Sequence, residues 1–370
     1  YNIMGNCFYF EDGVEERNTV DFNLASHVHP IGRAAAGQAQ VGEVFWQTDA
    51  VRQPADHAPA AFYITNARNT IRGNAASGGW TGYSFPNLRR AIGAWASVDL
   101  HWFNPERRKE LVFDGNSAHS AGQDWINGNC LYVGGRLSID EPSSRLVYAS
   151  GRQTRSTLDE RQQPSFNRFT NLLTFLCRRG FNHWGNSADI EHFEVIDVMQ
   201  GAVVFGDAYL TRGLIQAISS NPESGISTHL GFQFYDTWTR TMLDDVVFRG
   251  YRFADGGRVD LNDPNRASLT NRVIESMDHS DTFKPQGINA VRNITLQSCD
   301  AGALFDMPQP DTGSGWMYNH VSFDGSLADE AGYAVVSAHT SWWNGTVGNV
   351  TCTRHPQWGI WRCAGHPSTV

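Results

Sequence analysis

The chain has 370 residues, of which 41% are hydrophobic and only 18% charged. That mix excludes a disordered polypeptide and suffices for one large core or two ordinary domains. Its 38 acidic residues outweigh 29 basic ones, a net charge of −9 that argues against a nucleic-acid partner.

The chain opens at Tyr1 inside sequence that already reads as folded, with no initiator Met and no signal peptide. This predicts a processed product or the ordered, C-terminal part of something longer. Arg17–Ala25 then recurs as Arg68–Ala76, with shorter echoes at Arg292–Thr295 and Gly348–Thr351. A Gly-Asn-small-Ala motif appears at Gly73–Ala76, Gly115–Ala118 and Gly185–Ala188. Short apolar runs lie between the copies: Phe62–Ile64, Leu131–Val133, Ala202–Phe205, Phe232–Phe234 and Ala334–Val336. Their length and the turn residues after them predict strands. Ser165–Arg179 carries Phe166, Phe169, Leu172, Leu173 and Leu176 at helical spacing and predicts the one helix. No apolar run approaches the ~20 residues of a membrane span.

Short strands with Asn and Gly at recurring corners predict an all-β fold, a right-handed parallel β-helix with inserted loops, over residues 1–370 as one domain. Asn tolerates left-handed backbone angles. Its side chain can also pair with the same residue one turn of the coil away, forming a ladder. Small residues such as Ala75 and Ala76 suit the narrow inside, and Gly78-Gly79 suits a turn where a Cβ would clash. A β-sandwich also uses short strands, but gives the repeated Asn motif no role.

The acidic cluster Glu11, Asp12, Glu15 and Glu16 is the sharpest chemical feature. Glycosidic hydrolysis uses two carboxyl groups flanking the sugar, so Glu11, Asp12 and Glu15 are the catalytic candidates. The plain alternative is that Asp12 holds a turn and Glu15 pairs with Arg17; a calcium site of several oxygen ligands is a third reading. His27 and His29, two apart, and His183 with Trp184, Asp189 and Glu191 are weaker groupings, read mainly as surface and loop residues. Exposed aromatic faces are the usual platform for a sugar ring, and arginine suits a uronate carboxylate. On those grounds Trp80, Tyr83, Arg89, Arg90 and Trp102 are candidate substrate-binding residues. Most of the 12 tryptophans are still expected in the core.

Among six cysteines none forms a CxxC pair, and Cys352 and Cys363 are placed to staple the C-terminal end. Sequons stand at Asn293, Asn344 and Asn349. With an even cysteine count they predict a secreted or cell-surface setting.

The stretch Ile3–Thr19, reading IMGNCFYFEDGVEERNT, resembles the β-helix part of the cell-surface hyaluronidases, the group of the hyaluronan-binding protein induced in cell migration; fibrocystin-like surface proteins carry related segments. Ala61–Ile64 with Asn69–Tyr83, Phe113–Ser120, Gly231–Asp236 and, more loosely, Ile288–Thr295 are similar to later turns of that family. The resemblance implies engagement of an extracellular, hyaluronan-like polysaccharide, with hydrolysis and a calcium dependence as accompanying expectations. Asn6 stands where the family tends to have histidine, and an amide cannot exchange a proton near neutral pH. The competing expectation is a non-catalytic structural subunit of a cell-surface coat or extracellular filament, built by self-assembly. A tailspike-like adhesin is a third class.

Overall fold

In a computed structural model, the structure describes residues 1–29, 58–97, 103–122, 128–140, 145–149, 153, 155–221, 229–235, 240–252, 271–277, 289–301, 304–305, 318–337, 346–347, 350–355 and 361–364. It is a right-handed parallel β-helix, and the chain divides into two compact units, Tyr1–Glu191 and His192–Val370.

In the first unit, each turn of the coil contributes one strand pair or strand to each of two parallel sheets. One sheet stacks Thr19–Asp21 on Thr70–Arg72 and that on Val112–Asp114. Beside them run Leu24–His29, Ala75–Gly78 and Ser117–His119, followed by Asn167–Phe175. The other sheet stacks Phe8–Phe10, Ala60–Ile64, Thr81–Asn87, Asn129–Asp140 and Arg179–His183. Aromatic rings fill the inside. Phe62 stacks on Phe8 at 4.7 Å and on Tyr83 at 4.8 Å, and Tyr83, Phe85 and Phe169 each meet Phe113 edge-on. The outer face of the second sheet is covered too. The antiparallel strand Arg145–Ala149 and the segment after Asn87 bring Leu88, Ile92, Leu146 and Tyr148 against Tyr63, Trp80 and Tyr132.

The asparagine ladder exists. Asn18 donates its backbone N–H and Nδ2 to Asn69 Oδ1, at 2.8 and 3.0 Å. Asn23 does the same to Asn74, and Asn74 to Asn116. Each later Asn returns its own Nδ2 to a backbone carbonyl of the turn before, Asn74 to Val20 and Asn116 to Ile71. The corner residues that precede these asparagines are left-handed: Phe22, Gly73 and Gly115 have φ of 56°, 63° and 64°. A Cβ on Gly73 would also run into the Phe22 ring. Gly73→Ala is therefore expected to cost about 1–2 kcal/mol, the left-handed penalty plus displacement of that ring, read as a shift in the urea unfolding midpoint.

The expected helix at Ser165–Arg179 is instead a strand, Asn167–Phe175. Asn167 and Phe169 point inward, then Leu172 and Thr174. Between them Asn171 takes φ 51° and resets the alternation. That reset turns a step of two into a step of three, which imitates one turn of a helix.

The second unit follows the same rule. Asp207–Gln216, Thr241–Arg249 and Ala290–Gln297 stack in parallel, with left-handed Arg212, Asp245 and Asn293 in line at the corner. Gln200–Val204, His229–Tyr235 and Asn271–Met277 form its other sheet. The C-terminal strands Tyr333–Ser337, Val350–Arg354 and Trp361–Ala364 turn antiparallel. There Cys352 bonds Cys363, as expected from the sequence, while Cys130–Cys177 ties two turns of the first unit. Cys7 and Cys299 are free thiols.

Candidate functional site

The acidic cluster lies where the strand Phe8–Phe10 leaves its sheet. Glu15 folds back so that its Oε1 accepts the backbone N–H groups of Glu11 and Asp12, both at 2.9 Å. It therefore holds the turn, and its geometry suits neither acid nor base. The arginine pairing falls to its neighbour: Glu16 takes Arg108 bidentately at 2.6 and 3.1 Å, with Arg68 at 3.5 Å. Gly13, at φ 83°, packs against Leu88 and Pro105.

Two carboxyl groups remain at the corner. Glu11 is exposed and hydrogen-bonds Tyr9. Burial, the nearby Glu11 charge and that hydrogen bond all keep the Tyr9 phenol protonated. Asp12 lies against Gly93, where any Cβ would overlap its carboxylate, and its backbone carbonyl accepts Ile92 N–H at 3.1 Å. Partial burial, with the Glu15 charge behind it, raises the Asp12 pKa above the ordinary carboxylate value. Two carboxyl groups at one corner are the number that glycoside hydrolysis uses.

Gly93 begins a short 3-10 helix, Gly93–Trp95, whose last residue is 46% exposed. Tyr9, on the other side of the two acids in sequence, is 41% exposed. Sequence reading missed both aromatics.

Two of the expected substrate-binding aromatics are core residues. Trp80 is fully buried, edge-on to Tyr132 at 5.3 Å and Tyr148 at 5.9 Å. Tyr83 is also fully buried and donates its hydroxyl to Asn74 O at 2.9 Å, bracing the ladder. Neither can offer a face to a sugar. Both follow Gly78-Gly79, which ends one strand so that the next can begin with core residues. Trp102 lies outside the described residues. Arg89 and Arg90 are exposed on the segment that leads to Ile92, so they border the Asp12 corner, with Arg89 also acting on the Glu106 carboxylate.

Behind the turn is a small pocket of about 20 Å³, lined among others by Thr65, Asn87, Pro105, Glu106 and Asn167. Burial raises the Glu106 pKa against the pull of Arg89, Arg155 and Arg107. Its walls are nearly all buried, so it suits a polymer less than the open corner does.

The remaining candidates resolve as follows. Asn6 Oδ1 accepts the Ala60 N–H at 2.8 Å and so fixes the first corner. His27 and His29 lie 5.4 Å apart, with Tyr1 stacked on His27. His183 is wholly buried; Asp189 and Glu191 both pair with Arg168. Asn293 is exposed, with its Nδ2 on Asp244 at 2.9 Å. Asn344 and Asn349 lie outside the described residues. Among the described residues no group of three or more His, Cys, Asp or Glu is placed to hold a metal ion. Calcium takes six to eight oxygens, and with Glu15 Oε1 spent on two N–H groups this turn does not fit it. No helix among the described residues is long and apolar enough to cross a membrane.

A family model described as "CEMIP beta-helix" matches residues 1–126, which hold the whole corner. Protein rliB of Dictyostelium discoideum is 38% identical over 373 residues, covering 98% of this chain and 32% of that protein. A G8 domain-containing protein of the same organism is 38% identical over 374 residues, covering 98% of this chain and 26% of its own length. Fibrocystin-L of Mus musculus is 39% identical over 130 residues, 33% of this chain and 2% of that protein. The chain thus spans about a third or less of the length of these Dictyostelium relatives. The resemblance drawn from Ile3–Thr19 holds.

Proposed function

We propose that this chain, whose first third matches the CEMIP β-helix, engages an extracellular uronic-acid polysaccharide of the hyaluronan kind at the Glu11–Asp12 corner. The observation that carries this is the pair of exposed aromatics, Tyr9 and Trp95, beside two carboxyl groups of unlike environment. A sugar ring lies with its C–H face on Trp95, and the uronate carboxylate reaches Arg89 and Arg90. In hydrolysis Asp12 protonates the leaving oxygen and Glu11, held by Tyr9, acts as base or nucleophile. The two disulfides and the exposed sequon at Asn293 support an oxidising, extracellular setting.

The test incubates the purified chain with size-defined hyaluronan and with other uronic-acid polymers, with and without calcium. Shortening of one of these polymers is expected. If no polymer is shortened and none is retained by the immobilised chain, the proposal fails. Trp95→Ala is expected to weaken retention about tenfold, as loss of one aromatic–sugar contact of about 1.4 kcal/mol does. Its melting temperature should not change, because Trp95 supports no core.

The alternative is a non-catalytic structural subunit of a surface coat or filament, which end-to-end polymers of the chain in micrographs, with no effect on any polysaccharide, would support.

A further inference from the structure

Tyr63 stands one turn below Tyr9 on the outer face of its sheet, in register with it. The two rings meet edge-on at 5.0 Å. Tyr9 spends its hydroxyl on Glu11. Tyr63 is 1% exposed and its Oη has no hydrogen-bond partner. It is close enough to Tyr9 and Glu11 for their charges to add to burial in holding the phenol protonated. A buried hydroxyl without a partner costs about 1–3 kcal/mol, so it calls for a role.

We infer that Tyr63 and Glu11 form a subsite for one sugar hydroxyl, with Tyr9 as its movable cover. A sugar hydroxyl is both donor and acceptor. It accepts from Tyr63 Oη and donates to the Glu11 carboxylate, which satisfies both at once. Neither a methyl group nor an ammonium could do so. Tyr9 is 41% exposed, which lets it swing outward. Tyr63 is held by Leu88, Ile92 and Tyr132, and stays in place. The subsite therefore reads a hydroxyl that lies next to the ring seated on Trp95, and Tyr63 acts as a specificity-determining donor. This inference rests on the polysaccharide reading of the same corner.

Tyr63→Phe removes one oxygen and keeps the ring. Calorimetric titration with a hyaluronan hexasaccharide compares this variant with the wild-type chain and with Trp95→Ala, and melting temperatures are recorded for all three. Tyr63→Phe is expected to bind about tenfold more weakly, with a melting temperature unchanged or raised because an unpaired polar group has gone. A variant that binds as tightly as wild type, while Trp95→Ala binds more weakly, overturns the subsite and leaves the polysaccharide reading standing. A wild-type chain that binds no hexasaccharide overturns both. A lowered melting temperature for Tyr63→Phe would show that the hydroxyl holds the fold, and would also overturn the subsite.

Discussion

Asn74→Ala should destabilise the first unit by about 3–5 kcal/mol, the sum of two or more buried groups left without partners. Asn74 is 1% exposed and stands at the centre of the ladder. Its Oδ1 takes both donors of Asn23, and its Nδ2 serves Val20 O and Asn116 Oδ1. Alanine leaves the Asn23 N–H unpaired and takes one donor from each of Val20 O and Asn116 Oδ1. For a unit of this size that corresponds to roughly 10 °C in melting temperature. Asn18→Ala is the control. Asn18 is exposed, so its loss from this chain should cost about 1 kcal/mol or less. Equal shifts for the two variants would show that the ladder is not what holds the corners.

Glu110→Gln should stabilise the protein at pH 8 by several kcal/mol and leave it nearly unchanged at pH 4. Glu110 is 7% exposed; its Oε1 accepts the Arg168 N–H at 2.6 Å and its Oε2 has no partner. Burial pushes its pKa up to about 8, against the Arg168 N–H and the Lys109 charge, with Asp189 adding to the rise. Below about pH 4.5 the folded and unfolded chains both carry the proton, and the group is neutral in its effect. Between there and pH 8 the unfolded chain has lost it and the folded chain keeps it. Stability therefore falls as pH rises, by about 1.4 kcal/mol per unit at most. Glutamine keeps the acceptor and never ionises, so it removes this slope. Urea unfolding midpoints from pH 4 to 8.5 decide it: a wild-type slope that persists in the variant would assign it to another group.

The coil was legible because the asparagine at each corner has a physical task that few residues share. The repeat Arg17–Ala25 against Arg68–Ala76 is the ladder written in sequence. What misled was the corner inside the strand. Asn171 looks like any polar residue of an amphipathic helix until its φ of 51° is known. The acids were legible by type but not by role. Glu15 and Glu16 are adjacent, and only the fold shows that one ties the turn while the other binds Arg108. Trp80 and Tyr83 were drawn toward the sugar by their glycine neighbours, yet those glycines are the reason both rings sit inside. Trp95 was overlooked because its segment belongs to no strand, and that is also why its face is free.

The ladder has a consequence for chain length. It fixes the corners and leaves the path between them unspecified: successive partners are 51 residues apart from Asn23 to Asn74, and 42 from Asn74 to Asn116. Loop closure grows only slowly more costly with length, about 0.6 kcal/mol per doubling. Such a coil is a modular frame that accepts grafted sequence at its bends without renegotiating its core. A foreign epitope or a second binding loop spliced between two corners should leave the neighbouring turns in register.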